Sequence, residues 1–92
     1  MIYAVELDRK AMTVLFSLHQ REAEFVSFNL FKLAEAPREL SDVSTVPNGL
    51  VYAFRLAGSV EADAIWFTVT WQYKREEIVY VGSIVRSPVA PQ

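Results

Sequence analysis

The chain has no cysteine and only one histidine, His19. A disulfide framework, a thiolate zinc site and a multi-histidine metal centre built from one chain are thereby excluded. No metal and no cofactor is expected, and the missing cysteine suits a reducing compartment. The three glycines stand apart at Gly49, Gly58 and Gly82, so there is no glycine-rich phosphate loop. No serine sits in a nucleophile elbow. No apolar run reaches the ~18 residues of a membrane-spanning helix. The N-terminus lacks a basic segment followed by an apolar run, so no signal peptide is read and the expected location is the cytoplasm. Basic residues are few as well: nine Lys and Arg against eleven Asp and Glu give a formal net charge of −2, with a pI near 5.3. A general nucleic-acid-binding domain has a pI above about 9. Generic nucleic-acid binding is therefore not expected, although a local basic patch stays open.

What the chain does have is apolar material. Its 92 residues make one domain, read as residues 1–87 with a short tail at 88–92, and 52% of them are hydrophobic. So short a chain buries only about 60% of the surface exposed when unfolded. Part of the apolar surplus should remain as a surface patch that marks a partner. The competing expectation is a dense core filled by aromatic strands.

Residues 2–7 alternate as a strand, with Tyr3, Val5 and Leu7 on one side. Asp8 is a good N-cap for a helix over residues 9–18, whose Ala11, Val14, Leu15 and Leu18 recur at helical spacing. His19 and Gln20 form a joint before a second helix over residues 21–35. That helix is apolar around much of its girth, so it is buried on two sides or has a partner on one. Pro37 stops it at Ala36. Residues 38–49 show no periodicity, with a possible helical turn at 40–43, and Pro47-Asn48-Gly49 is a turn signal. Period two then takes over. Leu50, Tyr52, Phe54 and Leu56 oppose Val51, Ala53 and Arg55; residues 58–63 read as a loop; Ile65, Phe67, Val69, Trp71 and Tyr73 oppose Trp66, Thr68, Thr70 and Gln72. Residues 74–77 make a charged turn. Residues 78–86 are apolar on both faces, as in an interior strand, and Pro88 ends the ladder. The fold expected is α+β in the order β-α-α-β-β-β, a helical pair packed on a small antiparallel sheet.

Candidate chemistry is sparse. His19 sits at a helix joint, where a capping or solvent-facing imidazole is usual. Glu22 with Glu24, and Glu76 with Glu77, are carboxylate pairs; neighbours at i,i+2 on a helix do not face each other, and solvated charge is the expectation for both. Arginine gives the sharpest signal. If Val79, Val81 and Val85 face the helices, Tyr80 and Arg86 reach the open face of the sheet with Arg55, Trp66, Thr68 and Thr70. That surface suits an anion, a nucleic-acid backbone or an acidic peptide. The register carries this expectation, and a one-residue slip reverses it.

Several features together resemble the RelE/ParE superfamily of bacterial type II toxins, over nearly the whole chain from Ile2 to Arg86. They are the opening strand with Tyr3 and the short helix with Ala11, Leu15 and Leu18. The second helix ending Leu33-Ala34-Glu35-Ala36-Pro37, the Asn48-Gly49 turn, the strand bearing Arg55 and the closing Ile84-Val85-Arg86 follow. The resemblance implies a growth-inhibiting toxin neutralised by an antitoxin protein. In a ParE-like member, the toxin binds DNA gyrase. In a RelE-like member, it is a ribosome-dependent mRNA endoribonuclease, and Arg55 and Arg86 would be its catalytic candidates, stabilising the scissile phosphate. The acidic balance, the lysine-free segment at 38–49, Trp66 in the third strand of the family pattern and the missing tyrosine after Arg86 favour the ParE-like, binding mode. A homodimeric interaction or assembly domain is the remaining alternative.

Overall fold

The computed structural model describes residues 2–60 and 63–88 of the chain. Its elements are β1 (Ala4–Leu7), α1 (Arg9–Ser17), α2 (Gln20–Glu35), β2 (Asp42–Val46), β3 (Gly49–Val60), β4 (Asp63–Arg75) and β5 (Ile78–Ser87). The five strands form one sheet in the order β1-β5-β4-β3-β2. Both helices lie on one face of it, and the architecture is the expected α+β.

Local chemistry sets the helix ends. Asp8 caps α1, its Oδ2 accepting from the Lys10 N–H at 3.0 Å. The Leu18 N–H closes α1 on the Leu15 carbonyl, and the chain turns through Leu18 and His19 into α2. His19 occupies the N-cap position but makes no side-chain cap bond. α2 stops at Glu35, two residues ahead of Pro37. It buries Glu22, Val26, Leu30 and Leu33, a stripe at spacings of four, four and three.

The core is the contact between that stripe, Ala11 and Leu15 of α1, and the inward residues of the sheet: Tyr52, Phe54, Leu56, Ile65, Phe67, Val69, Trp71, Val79, Val81 and Ile84. Tyr52 stacks on Trp71 with ring centroids 4.3 Å apart. Tyr73 meets Trp71 edge-on at 5.0 Å. The Trp71 indole N–H donates to Ser41 Oγ at 2.9 Å.

Three expectations need correction. The sheet is mixed: β2 to β5 run antiparallel in sequence, but β5 ends beside β1 and parallel to it. Residues 42–46 form a strand, not part of an aperiodic loop, and the turn that precedes them lies at residues 37–40. β2 hid because it is exposed along nearly all its length, so no buried face imposes alternation on it. Pro47 and Asn48 join it to β3 in a two-residue turn, and Gly49 takes φ +130°, a conformation that side chains disfavour. Lastly, the β3–β4 ladder continues through Gly58↔Ile65, Ser59↔Ala64 and Val60↔Asp63, where a loop at 58–63 was expected. Residues 61 and 62 of that loop, and 89–92 of the tail, lie outside the described residues.

Candidate functional site

The face of the sheet away from the helices collects most of the residues that period two assigned to it. Arg55 on β3 pairs with Thr68 on β4, and Thr68 with Val85 on β5. Trp66 and Thr70 follow on β4, and Tyr80 comes from β5 beside Gln72. Trp66, Thr68, Thr70 and Tyr80 are all half-buried, while Arg55 stands exposed. Its guanidinium Nη1 lies 2.9 Å from Asp42 Oδ2 across the β2–β3 ladder.

Arg86 does not join them. Opposite Thr70 and Trp71 the partners jump from Ser83 to Val81, so Gly82 is an extra residue in β5. One extra residue reverses the parity of everything after it. Ile84 therefore turns inward at 3% exposure and Val85 outward at 54%. Arg86 points to the helix side, where its Nε donates to Glu22 Oε1 at 2.6 Å and its Nη2 to Oε2 at 3.3 Å. The expectation that Val85 faces the helices and Arg86 shares a surface with Arg55 is overturned by this bulge. Glu22 is corrected with it: it is buried to 7% exposure instead of solvated. The signal was present in the sequence, since Glu22 lies on the same i,i+4 stripe as Val26 and Leu30.

Tyr80 has a partner that the sequence did not reveal. Its hydroxyl donates to Asp8 Oδ1 at 2.5 Å, so one carboxylate both caps α1 and holds the sheet tyrosine. Donation from Tyr80, then from the Lys10 N–H, lowers the Asp8 pKa below its ordinary value. The same bond raises the Tyr80 phenol above its own. Lys74 completes the cluster, with Nζ 2.9 Å from Glu6 Oε1 and 5.8 Å from the centre of the Tyr80 ring.

Chemically, the open face is equipped to hold rather than to transfer protons. Asp8 is kept ionised and Tyr80 protonated, so neither stands at a pKa suited to acid–base work near neutrality. Glu76 and Glu77 are exposed and form the β4–β5 turn, and Glu24 accepts from Gln20 Nε2 on the surface of α2. His19 lies exposed at the helix joint. Among the described residues no three of His, Cys, Asp and Glu gather as a metal site, and no helix is long and apolar enough to cross a membrane. What the face offers a partner is the exposed Arg55 guanidinium, held by Asp42, the Trp66 ring and the hydroxyls of Thr68 and Thr70.

Neither a protein-family model nor a curated protein matches the sequence. A solved structure does: the E. coli toxin RelE in the free state, carrying two arginine-to-alanine substitutions. It aligns with a TM-score of 0.65 at 19% sequence identity, covering 91% of this chain and 82% of that one. The chain thus has the fold of the toxin RelE.

Proposed function

We propose that the chain is the toxin module of a toxin–antitoxin system, inhibiting growth by binding a cellular target and neutralised by an antitoxin protein. The fold match to a toxin over 91% of the chain carries the toxin reading. The geometry of the arginines favours binding over cleavage. A ribosome-dependent mRNA endoribonuclease of the kind the sequence suggested would need Arg55 and Arg86 on one phosphate, and they occupy opposite faces of the sheet. The binding surface is the open face around Arg55, Trp66, Thr68 and Thr70, and a ParE-like action on DNA gyrase is the target reading that follows.

The test is growth after induction of the native chain, of Arg55→Ala/Trp66→Ala, and of Arg86→Ala, at equal soluble levels. Arrest by the native chain and by Arg86→Ala, with relief in the double variant, is the expected pattern. Relief by Arg86→Ala in a folded protein would restore the endoribonuclease reading. No arrest by the native chain would end the toxin reading. A supercoiling assay with purified gyrase, beside an assay of ribosome-bound mRNA, then separates the two targets.

A further inference from the structure

Gly82, the extra residue of β5, has no Cα partner on β4 and is exposed. Nothing in its backbone asks for glycine. Among the described residues Gly49 is the glycine at positive φ, and Gly82 is not. Crowding does not ask for it either. A Cβ at Gly82 would meet only the Thr70 carbonyl oxygen, at 3.9 Å, an ordinary contact. A glycine inside a strand gives up conformational entropy and packs nothing. Where neither conformation nor crowding requires it, what it contributes is the space it leaves for another group to approach.

That space is a hollow of about 110 Å³ over the middle strands, lined by Val51 of β3, Thr70 and Gln72 of β4, and Tyr80 and Gly82 of β5. Two of its walls are held in place by bonds that turn their polar ends elsewhere. The Tyr80 hydroxyl donates to Asp8 Oδ1, and Gln72 Nε2 donates to the Leu50 carbonyl at 3.2 Å. What they leave for the hollow is the phenol ring and the glutamine methylenes, beside the methyls of Val51 and Thr70. The lining is therefore mostly apolar and already organised, so little ordering is needed to fill it. At ~30 Å³ for each water-sized group, it takes roughly four heavy atoms. That is the size of an aliphatic side chain, and a nucleobase is larger. Charge argues the same way. The ionic groups at the Tyr80 wall are the Asp8 and Glu6 carboxylates and the Lys74 ammonium, and Glu6 already holds that ammonium. A phosphate backbone, which binds through cations, finds no spare one at this wall among the described residues.

We propose that the Gly82 hollow is the anchor point of the open face, receiving one aliphatic side chain of a partner protein. Val51 and Arg55 share that face four residues apart, about 13 Å at ~3.3 Å per residue. Anchor and arginine thus fall within reach of one bound segment. The assignment of that segment to a toxin's target rests on the reading above; the hollow and its aliphatic preference do not.

Amide shifts of the nitrogen-labelled full chain test the hollow without a growth phenotype. The probes are N-acetyl-leucinamide, N-acetyl-glycinamide and adenosine monophosphate. N-acetyl-leucinamide should shift the Thr70, Tyr80 and Gly82 amides saturably, with a Kd on the order of 10 mM for about four buried carbons. The other two probes should leave those amides in place. Gly82→Ala adds one methyl and should keep both the fold and the saturable shifts. Gly82→Leu fills the hollow and should abolish them, while the Ile84 and Arg86 amides stay in place because the bulge is kept. Should that variant fail to fold, Val51→Phe fills the hollow from β3 and must abolish the shifts. Absence of saturable shifts in the native chain overturns the proposal, and so does their survival in a folded, filled variant. Unfolding of Gly82→Ala also overturns it, because glycine would then serve the backbone. Nucleotide shifts at the same amides overturn it in favour of nucleic acid. In cells, Gly82→Leu at native soluble levels should relieve growth arrest, and undiminished arrest overturns the assignment to the target. Native arrest without leucinamide shifts leaves the toxin and removes the anchor; leucinamide shifts without arrest leave the anchor and remove the toxin.

Discussion

At the scale of single residues, two hydrogen-bonded pairs tie sequence-distant elements together, and each predicts an asymmetry. Glu22 is buried and Arg86 half-exposed. Removing Arg86 strands a carboxylate among apolar side chains, whereas neutralising both partners does not. Arg86→Ala should therefore unfold at lower urea than Arg86→Ala/Glu22→Gln, even though the double variant has lost more polar groups. Equal midpoints would mean that the pair is solvated in solution. Tyr80 and Asp8 predict a pH dependence. The folded state lowers the Asp8 pKa from 3.8, so its contribution is complete above that value and is lost as pH falls through the lower, folded one. The folded state raises the Tyr80 pKa from 10.0, so its contribution is complete below that value and is lost as pH rises through the higher, folded one. Tyr80→Phe should flatten stability at both extremes and reduce it uniformly between them, measured by urea unfolding across the pH range. An unchanged acid limb would show that Asp8 is held by the Lys10 N–H alone.

At the scale of elements, the single residue Gly82 decides which half of β5 faces where. The contrast between its two neighbours tests this. Ile84→Ala should cost about 2–5 kcal/mol by leaving a cavity, whereas Val85→Ala, at an exposed site, should stay within about 0.5 kcal/mol. Strict alternation from Val79 and Val81 would predict the reverse, so urea denaturation of the pair decides the register. The same element shows what a sequence does and does not disclose. β1, both helices and the bodies of β3 and β4 were legible because each packs one face on the core, and burial imprints a period of 3.6 or 2; β5 was legible as an apolar run because it lies inside the sheet, between β1 and β4. β2 was not, because an edge strand exposed on both sides carries no such imprint. Arg55, Trp66, Thr68, Thr70 and Tyr80 could be placed on the open face because no irregularity separates them from the buried residues that set their parity. Arg86 could not, because it lies beyond the bulge, and a bulge is a property of two paired strands rather than of one. The Asp8–Tyr80 and Glu22–Arg86 bonds join residues 72 and 64 positions apart, and no local pattern encodes such a meeting.

At the scale of the whole molecule, one twisted layer separates two surfaces of different character. The open face offers Arg55, Trp66 and hydroxyls from the middle strands. The helix side ends in an apolar groove of about 400 Å³ beside β1, lined by Val5, Leu7, Leu15, Leu30 and Phe31, at the far edge of the strand order β1-β5-β4-β3-β2. Phe67, Val69, Trp71, Val79 and Val81 fill the space between helices and sheet with almost no exposure, and a core so closely packed does not merge one surface with the other. If the open face meets the target and the groove meets the antitoxin, the two activities should come apart by mutation. Phe31→Glu places a charge in the groove wall and touches nothing on the open face. It should still arrest growth, and it should no longer be rescued by antitoxin that rescues the native chain. Arg55→Ala/Trp66→Ala should do the opposite, losing arrest while still co-purifying with antitoxin. Sites more than about 7–10 Å apart with no shared partners behave independently, so combining the three substitutions should remove both activities without a new effect on folding. Growth curves with and without co-expressed antitoxin, read beside co-purification, measure each activity separately. Loss of both arrest and antitoxin binding in either folded variant would mean that target and antitoxin compete for one surface, and neutralisation would then be direct occlusion of the site.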